Sequence, residues 1–244
     1  MENRSDRTWP LPRHPWVMQM RWSELLFAHW ALDPNVVARV LPSGVTLDTH
    51  DGQAWVGVVP FLMSGVAPRL CPPLPGLSRF LELNVRTYVT IGGKPGVWFF
   101  SLDAANRIAV RLARKTFNLP YMDAKMSLEE RDGGSIAFTS NRTHRGEPSA
   151  MYDASYSASG EFREAEPGSL EHWLTARYCL YSVNGRGQVY RGEIDHPPWK
   201  LAPATYEEHT NTMGDSFEFQ FHGRPHLLMA ESIAVRAWLA RKCS

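Results

Sequence analysis

Four glycine-bearing turn signals frame this 244-residue chain: Asp51-Gly52, Gly92-Gly93, Asp132-Gly133 and Asn184-Gly185. Each stands between two short stretches suited to strands, and such dipeptides supply the positive φ that a tight hairpin turn requires. A chain punctuated in this way folds mainly by antiparallel pairing. The pattern predicts ten strands, over residues 18–31, 45–48, 54–63, 82–91, 97–103, 125–130, 135–142, 151–162, 178–183 and 188–194. Three short helices interrupt them. The first opens at Asp33-Pro34, an N-cap oxygen followed by proline at the first helical position; Val36, Val37, Val40 and Leu41 give its apolar face and Pro42 stops it. The second covers 104–117, with Ile108, Leu112 and Phe117 on one face, and the third enters at Ser169 and runs to about residue 177. Residues 64–79, around Cys71-Pro72-Pro73, read as a loop. The expected class is therefore β-dominated α+β, with residues 1–15 an irregular arm and 16–244 a single domain.

Composition excludes several partners. A formal net charge of +1 gives no strong field for nucleic acid or an anionic membrane. No apolar run approaches the roughly 20 residues that span a bilayer. The first fifteen residues are polar and lack the apolar core of a secretory signal, so a cytoplasmic protein is expected. Cys71, Cys179 and Cys243 are odd in number and far apart, which suits reduced structural thiols better than disulfides. Metal-ligand spacing is absent, as are the glycine patterns of nucleotide loops and of the serine-hydrolase elbow, so no metal or cofactor is expected.

The chemistry-bearing stretch is Phe80-Leu81-Glu82-Leu83-Asn84-Val85-Arg86-Thr87-Tyr88-Val89. Side chains alternate along a strand, so Glu82, Asn84, Arg86 and Tyr88 share one face and Leu83, Val85, Thr87 and Val89 the other. Taken alone, the polar row is either a solvated sheet face or the lining of a polar cavity. The next strand, residues 97–103, is almost wholly apolar and so is covered on both faces. Its neighbour is then covered too, which favours the cavity, where Arg86 could hold a substrate carboxylate through two parallel hydrogen bonds. His196, in His196-Pro197-Pro198-Trp199, ends a strand and reads as a capping or core residue first and a site residue second.

Five segments together carry a family resemblance: residues 54–61, 80–89, 96–104, Leu-Pro-Tyr-Met-Asp-Ala-Lys-Met (119–126) and His-Pro-Pro-Trp-Lys-Leu (196–201). Over about residues 15–215 the chain resembles the YqjF-like family of uncharacterised bacterial proteins, in the acetoacetate decarboxylase-like superfamily. The resemblance implies an antiparallel β-barrel of the acetoacetate decarboxylase type, with a few short helices around a buried pocket. It also implies a possible homo-oligomer, although no heptad or apolar stripe marks an interface. Acetoacetate decarboxylases act through a Schiff-base lysine, whose amine is kept neutral by an adjacent lysine and by burial. That pair follows a proline. Here the matching proline is Pro120, and the lysine positions hold Tyr121 and Met122, neither of which forms an imine. The decarboxylases' pocket carboxylate falls on Glu82. Their N-terminal-strand arginine falls on Ser23, and Arg21 is its candidate replacement. Lys115 and Lys125 read as a solvated helix face and a new strand respectively.

Two functions remain open. In the first, an enzyme acts on a small carboxylate or carbonyl compound, with Arg86, Asn84, Arg21, Tyr88 and His196 binding, Glu82 as general acid or base, and Tyr121 donating a proton or hydrogen bond. In the second, a non-catalytic binder or sensor holds a small acid through Arg86 and Asn84.

Overall fold

The structure, a computed structural model, describes residues 6–108, 110, 111, 114 and 119–243. The stretch read as one strand over 18–31 is two, β1 (Met18–Ser23) and β2 (Leu25–Leu32). Glu24 between them adopts a left-handed φ of 51°, which an extended strand cannot accommodate. Helix α1 (Pro34–Arg39) begins as read, with the Asp33 side chain accepting from the Asn35 backbone N–H. Next come β3 (Thr46–Leu47), β4 (Ala54–Pro68), β5 (Phe80–Ile91) and β6 (Lys94–Ala104). Of the helix expected over 104–117, Arg107, Ile108, Val110, Arg111 and Arg114 are helical, opened by an Asn106 side-chain oxygen that accepts from the Ile108 N–H. Leu112, Lys115 and Phe117 lie outside the described residues.

The second half holds β7 (Tyr121–Arg131), β8 (Ser135–Arg142), β9 (Met151–Ala158), β10 (Arg163–Glu164) and helix α2 (Leu170–Thr175). It continues through β11 (Cys179–Val183), β12 (Val189–Asp195), β13 (Lys200–Asn211), β14 (His226–Ala230), β15 (Ile233–Ala237) and β16 (Arg241–Lys242). The strands after residue 200 were not foreseen: Pro203, Glu207, Glu208 and His209 break the alternation that would have marked β13. The hairpins at Gly92-Gly93, Asp132-Gly133 and Asn184-Gly185 form as β5–β6, β7–β8 and β11–β12. The Asp51-Gly52 turn is closed only by a His50–Gln53 bridge, because β3 pairs with β5 rather than with β4. Pairing is also not wholly antiparallel, since β6 runs parallel to both β7 and β11.

Hydrogen-bonded neighbours trace two closed rings of strands. One runs β1-β15-β12-β11-β6-β5-β4 and back to β1. The other runs β6-β7-β8-β9-β13-β14-β2-β4-β5 and back to β6. Strands β4, β5 and β6 belong to both, so alternate side chains along them face different interiors. Val56, Val58, Leu83, Val85, Val89, Trp98 and Phe100 enter the second ring and pack on Ile136, Phe138, Tyr152, Ala154 and Tyr156. That ring is solid. The opposite faces contribute Val59, Phe61, Met63 and Phe80 to the first ring, which encloses a cavity instead.

Irregular though it is, the arm before β1 is pinned: Arg7 donates to the backbone oxygens of Tyr178 and Ile194, and Trp9 donates to Glu193. Among the described residues no helix is long and apolar enough to cross a membrane.

Candidate functional site

The cavity in the first ring has a volume of about 500 Å³. Its wall is mostly apolar, including Met20, Trp22, Phe27, Phe61 and Phe99, and a few polar groups interrupt it along β5. Glu82, Asn84 and Arg86 all line it, as their alternation required. Tyr121 joins them for a reason of register. Asn84 pairs with Leu102 on β6, and Leu102 pairs in turn with Tyr121 at the start of β7. Residues directly paired across strands share a face, so the phenol enters the ring beside the β5 row. The β6 register slips by one residue between Ser101 and Phe99, leaving Phe100 unpaired. This bulge lets both Phe99 and Leu102 face the cavity although strict alternation would oppose them.

Glu82 is almost fully buried, and its Oε2 accepts a 2.9 Å hydrogen bond from the Tyr121 hydroxyl. Burial pushes its pKa up to about 8; the Tyr121 hydrogen bond opposes that rise and the charge of Asp103 adds to it. Tyr121 itself titrates well above an ordinary phenol, because of burial and the neighbouring carboxylate. At neutral pH each group therefore keeps its own proton, with the Tyr121 hydroxyl donating to the Glu82 carboxyl. Behind them, Asp103 is enclosed with Arg142, whose Nε lies 3.0 and 3.1 Å from the two carboxylate oxygens. Burial raises Asp103 to about 6, against the pull of Arg142.

Arg86 has no carboxylate partner among the described residues. Its guanidinium lies 4.9 Å from the Phe27 ring centroid and donates to the Tyr88 hydroxyl at 3.2 Å, while its Nε is buried without a hydrogen bond. Tyr88 lies 2.7 Å from His29 Nε2. Burial, then the charge of Arg86, lowers the His29 pKa well below that of a free imidazole. Since Arg86 can only donate, the Tyr88 hydroxyl accepts from it and passes its own proton toward the neutral His29 ring. Tyr88 thus stands behind Arg86 as a support and is not part of the wall. Gly57 lies against this support, and a Cβ there would fall 2.6 Å from His29 Nε2. Gly57→Ala is expected to cost ~1–3 kcal/mol in thermal or denaturant unfolding by displacing the ring. An unchanged unfolding midpoint would show that His29 is not held as described.

The other expected residues divide. His196 is buried on the cavity wall, with Nδ1 2.8 Å from the Pro197 carbonyl and its ring stacked on Tyr178 at 4.7 Å. Burial lowers its pKa, so it presents a neutral, largely occupied imidazole. Arg21 is a correction: its side chain is exposed and donates to Ser232 at 2.8 Å. Inward positions of β1 are Met18, Met20 and Trp22, so Arg21 points out of the ring. Lys125 is exposed on β7, and no lysine among the described residues lines the cavity. Sequence reasoning missed Arg177. This buried arginine lines the same wall just beyond α2, donating at 2.6 Å to Asp48 and at 2.7 Å to the Trp173 carbonyl. Its only signal was a lone basic residue at a helix end. Cys179, also on the wall, is a buried thiol pushed up to about 12 by desolvation, so it is not a nucleophile at neutral pH. Among the described residues no group of three His, Cys, Asp or Glu side chains is placed to hold a metal ion.

Residues 19–234 match the model of a family, DUF2071, described as an uncharacterised conserved protein. The chain is 40% identical to the uncharacterised protein YqjF of Bacillus subtilis (strain 168) over 235 residues, 96% of each chain. In fold it is similar to the enduracididine biosynthesis enzyme MppR complexed with pyruvate, with a TM-score of 0.64 at 13% identity, covering 97% of this chain and 93% of that one. It is likewise similar to acetoacetate decarboxylase from Legionella pneumophila, with a TM-score of 0.60 at 13% identity, covering 100% of this chain and 94% of that one.

Proposed function

The chain belongs to the DUF2071 family and has an acetoacetate decarboxylase-like fold, and we propose that it binds a carboxylate through Arg86 and performs acid–base chemistry on it without an imine. The observation that carries this reading is a half-buried cation, Arg86, lacking a carboxylate partner among the described residues, on the same wall as a carboxyl–phenol pair. An uncompensated guanidinium in an apolar cavity is costly until an anion neutralises it. Asn84, whose Oδ1 is buried without a partner, lies between Arg86 and Glu82 and is free to orient the ligand.

A carboxyl group held near neutrality suits proton transfer. Its ionised form takes a proton from a carbon next to a carbonyl, and its protonated form returns one. The Tyr121 hydroxyl, released from Glu82, donates to the carbonyl oxygen as negative charge develops there. MppR, a structural neighbour, is described in complex with pyruvate, an acid of this general kind. The mostly apolar wall is the observation that favours the second reading, a binder or sensor.

A panel of 2-oxo and 3-oxo acids in deuterium oxide, followed by proton NMR, separates the readings. Exchange at the carbon beside the carbonyl with the native protein, lost in Glu82→Gln, supports the enzyme. Binding without exchange supports the sensor, and failure to bind any acid removes both. Borohydride added with pyruvate or acetoacetate is expected to leave the protein's mass unchanged, since no lysine among the described residues lines the cavity. An adduct would restore imine chemistry.

A further inference from the structure

Resting on the carboxylate reading above, we infer that the ligand is an amphipathic acid, its carboxylate on Arg86 and its hydrocarbon body running along the cavity to an apolar mouth between Leu74, Ile108 and Leu239.

Three observations meet here. The first is size. A cavity of about 500 Å³ lies in the range used for drug-sized ligands, roughly 300–1,000 Å³. A three-carbon acid would displace only a few waters, at about 30 Å³ each, and leave most of the space unfilled. The second is spacing. Glu82 and Arg86 are four residues apart on one strand, so their backbones stand ~13 Å apart, and no ion pair joins their side chains. A ligand that uses both must bridge the gap their side chains leave. The third is the mouth itself. Leu74, Ile108 and Leu239 line the cavity yet are 56%, 55% and 49% exposed. Leu70, in the same loop as Leu74, is 92% exposed. Large aliphatic side chains left half in water at a cavity entrance mark a surface that a ligand covers. The entrance is also built, because the Asn106 side chain donates to the Gly76 carbonyl at 3.1 Å and ties the Leu74 loop to the helical segment bearing Ile108.

Calorimetry with acetate, butanoate, hexanoate, octanoate and decanoate tests the inference, with octylamine as the cationic control. Affinity is expected to rise about fourfold per added methylene, the fold-change equivalent of ~0.8 kcal/mol, until the chain reaches the mouth. Octylamine should not compete. Leu74→Ser combined with Ile108→Ser should weaken decanoate about tenfold and leave butanoate unchanged. Affinity that is flat with chain length, while Arg86→Gln still weakens every acid, overturns the amphipathic ligand and leaves the carboxylate reading standing. Chain-length dependence that Arg86→Gln does not alter overturns the carboxylate reading itself. If the double serine variant instead splits an oligomer without touching the affinity for decanoate, the mouth is a protein interface and the inference falls.

Discussion

Arg86→Met is expected to weaken binding of the best carboxylate by about a hundredfold or more, while leaving the ligand-free protein as stable as before or slightly more so. The two halves of this result have opposite signs for one reason. Removing one partner of a buried charge pair costs ~2–5 kcal/mol of binding, much of it from the anion left without its cation. Without ligand, the half-buried guanidinium has, among the described residues, the Tyr88 hydroxyl and the faces of Phe27 and Tyr88 to offset the part of its hydration it has lost. Methionine fills similar volume without that cost, and replacing buried charge by apolar side chains is often neutral or stabilising by ~1–4 kcal/mol. Calorimetry and thermal unfolding on the same variant check both parts. A variant that binds normally shows that the acid is held elsewhere; one that melts far below the native protein shows that Arg86 is structural.

Glu82 makes the second large prediction, a stability that declines as pH rises. The unfolded chain gives up this proton near the ordinary value of 4.5, whereas the folded protein keeps it until about 8. In that interval the folded state binds more protons, so stability is complete below 4.5 and is lost progressively as pH climbs through 8. The slope approaches ~1.4 kcal/mol per pH unit, and the total reaches at most ~5 kcal/mol, on the order of 10 °C for a chain of this size. Asp103, raised to about 6, adds the same sign at lower pH, so the diagnostic interval lies between about 7 and 8. There the native protein should lose stability steadily, and Glu82→Gln, which keeps an acceptor for Tyr121, should be flat and more stable at the upper end. Parallel curves for the two proteins would mean that Glu82 has already ionised.

The polar row on β5 was legible because its alternation, Glu82 to Tyr88, spans seven residues and its almost wholly apolar neighbour had to be covered on both sides. Tyr121 was legible only through the proline before it; nothing in its own surroundings announces that β7 starts there, parallel to β6. Arg21 failed for a local reason. Residues 18–31 scan as one unbroken strand, but the left-handed Glu24 divides it and reverses its parity, so even positions face inward before the break and odd ones, Leu25 and Phe27, after it. Arg177, His29 and the Asp103–Arg142 pair were hidden because each acquires meaning from a partner far away in the chain, 129, 59 and 39 positions distant. Spacing along the sequence cannot report such contacts. The parallel neighbours of β6 were hidden likewise, since turn chemistry announces only hairpins.

Three strands shared between a solid ring and a hollow one give the molecule a division of labour. Cohesion rests on Leu83, Val85 and Val89, which look one way, so the residues interleaved with them are released from holding the protein together. Positions 82, 84 and 86 can then be rewritten for a different cargo at little risk to folding. The cost of that freedom is intolerance to length: one residue inserted into β5 would exchange the two inventories, pushing charge into the packed interior and aliphatic side chains into the vestibule.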